Sequence, residues 1–155
     1  MNRRRAAVVL LKEDKLLLIH RITPTKEYFT FPGGGVESGE TPEFAAIREL
    51  KEETTLDADL GPLLYHHIYD DGSEEFFYRC TNSRGEACLP ADAEEYARMQ
   101  SGLDSYEPVW LPVLNLPETL LYPLEIRDWL IDDLRDDFAR TPREATLIKS
   151  ARRES

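Results

Sequence analysis

The chain has 155 residues, 41% hydrophobic and 32% charged, and carries a net charge of −11 at pH 7. That length makes a single domain with enough core to fold without disulfide or metal staples. The acidity excludes a duplex nucleic-acid partner, which needs a basic surface, and makes binding of any polyanionic small molecule dependent on cations.

The start, Met1-Asn-Arg-Arg-Arg5 followed by Ala6 to Leu11, has the outline of a signal peptide. Lys12-Glu13-Asp14 stops the apolar run, however, and no small-residue cleavage site follows, so the stretch reads as the basic start of a first strand. No apolar run approaches membrane-spanning length, so no membrane partner is expected. Ala6–Leu11 and Leu16–His20, joined by a charged turn at Glu13-Asp14, predict a hairpin buried on both faces. Arg21 to Tyr28 reads as a polar loop, in which Arg21 and Lys26 either reach a phosphate or are ordinary solvated surface. Phe29-Thr30-Phe31 then leads into Gly33-Gly34-Gly35. Such glycines let backbone approach a ligand closely and take up positive φ.

A helix follows. Thr41 can cap it, Pro42 suits its first position, and Glu43 favours the positive end of its dipole. Phe44, Ala45, Ile47 and Leu50 give it an apolar side, which leaves Glu49, Glu52 and Glu53 crowded together on the other. Like charges at helical spacing repel, and the last turn prefers cations. A solvated acidic face is the ordinary explanation for such a trio. A bound divalent cation is the other, because hard Mg²⁺ or Mn²⁺ takes carboxylate oxygens, and the glycines just upstream favour it.

Beyond the helix, Leu63–Tyr69 and Glu75–Thr81 read as strands joined by the turn Asp70-Asp71-Gly72. His66 and His67 are adjacent, so on a strand they face opposite ways and cannot both ligate one metal; a structural role is expected for each. Cys80 and Cys88 lack paired zinc-type spacing, and a reduced, cytoplasmic setting is the simple reading, with a disulfide the alternative. Asn82 to Ser105 is polar, with a short helical patch around Glu94 to Gln100. Glu107–Pro112 predicts a final strand and Asn115–Thr119 a short turn. Pro123 then opens a last helix with Ile126, Leu130, Leu134 and Phe138 on one stripe and Trp129 beside them. The expected organisation is a single domain over 1–140 and a polar, loosely ordered tail over 141–155.

Gly34, five residues, Glu40, seven residues, then Arg48-Glu49-Leu50-Lys51-Glu52-Glu53, with Leu56 three places on, resembles the Nudix box, G-x5-E-x7-R-E-U-x-E-E-x-G-U. The match is unbroken over 23 residues and departs once, at Thr55, where the family has glycine. A glycine there makes a left-handed helix cap that a β-branched residue makes poorly, which puts the local backbone in question and not the metal ligands.

The resemblance implies an α/β fold, an α/β/α sandwich with a mixed sheet between helices. It implies Mg²⁺ or Mn²⁺ held by Glu49, Glu52 and Glu53, with the Gly33 carbonyl as an extra ligand and Arg48 pairing with a box glutamate to hold it. Glu40 would support the loop. The implied reaction is hydrolysis of a nucleoside diphosphate linked to a moiety X, and homodimers are frequent among relatives. A further carboxylate outside the box often serves such enzymes as ligand or general base, and Asp104, Glu107, Glu94 and Glu95 are the contenders. Arg21, Lys26, Gly34 and Tyr28 are candidates for binding substrate, and Tyr28, Phe31 and Tyr122 for stacking on a base. The segment Leu120–Pro123 lacks the amide that some relatives use to read oxidised guanine, although Asn115 is close by. Two other classes are weighed: a non-catalytic nucleotide sensor, which commonly loses box carboxylates, and an isoprenoid isomerase, which needs a cysteine in a setting that neither Cys80 nor Cys88 has.

Overall fold

The computed structural model describes residues 3–88 and 105–147. Strands β1 (Arg4–Lys12) and β2 (Lys15–Ile22) turn through Glu13 and Asp14, both left-handed with φ of 52° and 64°. They pair only at the turn, Leu11 with Leu16 and Lys12 with Lys15. The predicted hairpin therefore opens like a fork, because each arm has better partners. β1 runs parallel to β6 (Glu74–Arg84) and antiparallel to β4 (Gly33–Gly35). β2 runs antiparallel to β3 (Glu27–Thr30) and to β7 (Ser105–Pro112). β8 (Leu121–Tyr122) pairs parallel beside β3, while β5 (Asp57–Tyr69) flanks β6.

Both faces of this mixed sheet are covered. Ala6, Val8, Leu10 and Leu17 pack with Ala45, Ala46 and Leu50 of helix α1 (Pro42–Thr54). Ala7, Val9, Leu16 and Leu18 pack with Ile126 and Leu130 of helix α2 (Leu124–Arg135). Strand alternation thus sends neighbouring residues of β1 into two different cores, which explains why the run Ala6–Leu11 has no polar face. The arrangement is the α/β/α sandwich expected.

Several expectations need correction. Phe44 is 63% exposed, and the buried side of α1 is Ala45, Ala46 and Leu50. α2 ends at Arg135, and Phe138 reaches the core from the turn beyond it, with φ of 63°. The segment assigned to a loose tail holds a strand, β9 (Arg143–Leu147), parallel to β5 at the sheet edge. Its anchor is Asp133 of α2, fully buried, which accepts from the Tyr65 hydroxyl at 2.7 Å and pairs with Arg143. His66 and His67 do face opposite ways. His66 lies 2.7 Å from Glu74 and 3.0 Å from Glu144, stacked on Phe76, while His67 is buried edge-on to Trp129. Both cysteines are free thiols; Cys80 lies in the α1 core, where burial pushes its pKa up to about 11, and Cys88 is exposed.

Helix α1 begins as the sequence predicts, with Thr41 Oγ1 accepting from the Phe44 amide at 3.1 Å. It ends on Thr55 at φ 64°, ψ 1°, the left-handed cap that the family makes with glycine. The threonine regains something for the strain, since its hydroxyl donates to the Glu86 carbonyl at 2.8 Å. Left-handed backbone costs a residue with a Cβ roughly 1–2 kcal/mol, and one hydrogen bond returns about 1 kcal/mol. Thr55→Gly is accordingly expected to leave stability within about 1 kcal/mol of the parent, whereas Thr55→Val keeps the strain, loses the bond and costs about 1–2 kcal/mol in urea denaturation.

Candidate active site

α1 and β4 meet over a cavity of about 300 Å³ lined by Gly33, Gly34, Glu49, Glu52, Glu53, Arg5, Arg21, Thr30, Phe31 and Tyr106. The glycines make this packing possible, although not by the means first expected. None of the three has positive φ. They form an extended strand pressed against the chain itself, so that a Cβ on Gly33 would lie 2.5 Å from the Ala6 carbonyl and one on Gly34 2.5 Å from Glu49 Oε1. Gly34 is thus a neighbour of Glu49.

Glu53 is the most constrained of the carboxylates. Its Oε1 accepts the Gly33 amide at 2.6 Å, and its other oxygen accepts the Tyr106 hydroxyl. Burial pushes its pKa up to about 7, with the charge of Glu49 adding; Tyr106, the Gly33 amide and the charge of Arg5 offset part of the rise. Burial also raises Glu49, against the lowering by Arg48. Glu52 stands at the rim, 57% exposed.

Arg48 ties the box together. Its Nε and Nη2 grip both oxygens of Glu40 at 2.6 and 2.9 Å, and Nη2 also donates to the Gly35 carbonyl at 3.0 Å. Nη1 reaches Glu49 at 3.0 Å and Glu52 at 3.1 Å, taking one oxygen of each. Glu40, held down near pKa 2 by this guanidinium and by the Glu37 amide, braces the loop through that same amide at 2.9 Å. One arginine therefore orients two of the three carboxylates and the glycine strand opposite them.

The donors fit a hard cation in kind: all are oxygen, and two of the three have raised pKa values in a cavity they share. Among the described residues no three His, Cys, Asp or Glu side chains stand gathered as a ready-made metal cage. Glu53 is turned to Gly33 and Tyr106 through both oxygens, and Glu49 and Glu52 to Arg48 through one each, so ligation would use the remaining lone pairs of Glu53 and the second oxygens of Glu49 and Glu52.

A second cavity, about 520 Å³, adjoins the first and shares Arg5, Thr30 and Phe31 with it. Lys26, Tyr28 and Tyr122 line it, with the two tyrosine rings 5.5 Å apart and the Lys26 ammonium 4.4 Å from the centre of Tyr122. Arg21 lies apart from these, in the carboxylate cavity, its guanidinium 5.1 Å from the Tyr106 ring and its Nε buried with no hydrogen-bond partner. Phe31 is mostly core, edge-on to Phe77. Exposed Asn115 lines neither cavity.

Of the proposed extra carboxylates, Asp104, Glu94 and Glu95 lie outside the described residues. Glu107 is placed away from the site. On β7 it alternates with Tyr106, and its carboxylate sits 4.0 Å from His20 while Tyr106 reaches Glu53. The sequence singles out neither Tyr106 nor Arg5: Tyr106 precedes the predicted strand start by one residue, and Arg5 reads only as part of the basic start of the first strand.

A profile of the NUDIX domain matches residues 1–130. The chain belongs to the Nudix family. A Nudix hydrolase from Nitrosomonas europaea superposes with a TM-score of 0.71 over 96% of this chain and 79% of that one, at 18% identity, which establishes the fold. The ADP-ribose pyrophosphatase of Methanocaldococcus jannaschii is 53% identical over 49 residues, 31% of this chain and 29% of that protein. The 8-oxo-(d)GTP phosphatase of Mycolicibacterium smegmatis is 32% identical over 111 residues, 70% of this chain and 30% of that protein. Matches with these curated Nudix relatives span less than a third of their length. No helix among the described residues is long and apolar enough to cross a membrane.

Proposed function

We propose that this Nudix chain is a Mg²⁺-dependent hydrolase of a nucleoside diphosphate linked to a second moiety, acting through water attack at phosphorus. The observation that carries this reading is the meeting of Glu49, Glu52, Glu53 and Gly33 on one cavity that opens beside an aromatic one. When bound, Mg²⁺ (or Mn²⁺) would neutralise the diphosphate and acidify a coordinated water. Glu49, Glu52, Glu53 and the Gly33 carbonyl would hold it. Arg48 orients Glu49 and Glu52, and Tyr106 with the Gly33 amide orients Glu53. Arg21, whose side chain lines the carboxylate cavity, would take a phosphate oxygen. Tyr28 and Tyr122 would flank the base, with Lys26 over them.

The names of the relatives make ADP-ribose and 8-oxo-dGTP the first compounds to try, followed by nucleotide sugars, dinucleoside polyphosphates and ordinary nucleoside triphosphates. With Mg²⁺ or Mn²⁺ present, release of a nucleoside monophosphate from at least one of them is expected, with ¹⁸O from labelled water in a phosphate product. Tight binding of one compound without turnover of any would convert the reading to a sensor.

A further inference from the structure

Arg5 is the charged side chain common to both cavities. It sits on β1 between two partners, level with Gly35 of β4 on one side and Glu75 of β6 on the other. That register holds the guanidinium at the seam between the aromatic cavity and the carboxylate cavity. Glu75 lies 3.5 Å from its Nε, and the Glu75 side chain is only 8% exposed against 30% for Arg5. Glu75 is itself fixed by the buried Tyr69 hydroxyl, which donates to its Oε1. A buried carboxylate ion-paired with the Nε edge biases where the guanidinium sits, and the terminal nitrogens of an arginine form the fork that suits a phosphate.

We propose that Arg5, aimed by Glu75 and Tyr69, is a substrate-binding residue that recognises the phosphate joining a nucleoside in the aromatic cavity to the metal-binding carboxylates. The proposal rests on the nucleoside diphosphate reading above and adds the direction in which the substrate lies: base beside Tyr28 and Tyr122, phosphates passing Arg5 toward Glu49 and Glu53. The competing role is purely internal, a counter-charge for Glu75 and the box glutamates.

Calorimetric titration separates the two. Adenosine, guanosine, cytidine and uridine are each compared with their non-hydrolysable 5′-(α,β-methylene) diphosphates in Mg²⁺, and Mg²⁺ alone is titrated as a control. In the wild type at least one diphosphate should bind far more tightly than its nucleoside. Arg5→Ala should cut that ratio by about tenfold or more, the worth of one charge-assisted hydrogen bond, without weakening Mg²⁺ binding. Arg5→Lys, which keeps the charge and loses the fork, should fall between, and Glu75→Gln should show a smaller loss of the same kind. An undiminished ratio in Arg5→Ala, or a loss matched by weaker Mg²⁺ binding, would overturn the role of Arg5 and leave the hydrolase reading standing. Failure of the wild type to bind any of the eight compounds would remove both together.

Discussion

Replacing Glu53 by glutamine is expected to lower kcat by about three orders of magnitude, the several kcal/mol that a metal centre contributes to such a reaction. The shape of the side chain is conserved, and glutamine can still accept the Gly33 amide through one atom, so the fold should persist. The same variant should make the metal-free protein more stable. Glu53 has its folded-state pKa raised from 4.5 to about 7 by burial, so the folded chain alone holds this proton between those values. Its stabilising contribution is fully present below about pH 4.5 and is lost as pH rises through about 7. Metal-free Glu53→Gln should therefore match the wild type near pH 4.5 and exceed it at pH 8 by up to about 3 kcal/mol. Mg²⁺ should reverse the order at pH 8 by raising the melting temperature of the wild type more than that of the variant. It must also displace the Glu53 proton, so its apparent affinity should fall as pH drops below 7. Equal Mg²⁺ shifts in both proteins would remove Glu53 from the metal site.

Alanine at Gly33 and at Gly34 should fail in different ways although the residues are adjacent. At Gly33 the new methyl meets the Ala6 carbonyl at 2.5 Å and the Ala7 Cβ at 2.6 Å, both on β1. Backbone cannot step aside there without opening the β1–β4 pairing, and a loss of about 2–3 kcal/mol in denaturation is expected. At Gly34 the three atoms nearest the new methyl all belong to the carboxylate end of Glu49, which can rotate away. The result should be a folded protein with Glu49 pulled off Arg48 and turnover reduced roughly 10–100-fold, the usual range for disturbing the support of a metal ligand. Kinetics and urea titration on the two variants would distinguish a glycine kept for the fold from one kept for the site.

The box was legible because its spacing is a local, helical fact: residues three and four apart must share a face, and Arg48, Glu49, Glu52 and Glu53 do. The N-cap at Thr41 and the two faces of the first strands were legible for the same reason. What escaped notice depends on partners far along the chain. Nothing near Ala6 announces that β1 will leave β2 after two residue pairs for Glu74–Cys80. Tyr106 reaches Glu53 across 53 positions, and only strand register could have placed it. β5 begins at Asp57 and not at Leu63, because irregular pairing on either side of Leu63 lets the sheet absorb Gly61-Pro62, a dipeptide that reads as a boundary. Glu107 misled for a simpler reason: its identity suited the role, but alternation aims it at His20.

The contact between Asp133 and Arg143 makes the last described strand a clasp. An acidic group sealed beneath α2 has its compensating cation supplied from beyond the helix, by residues that look dispensable on paper. Closing that latch joins the outermost strand to Tyr65 in the middle of the domain, so the rim of the sheet and the packing of α2 should loosen as one unit.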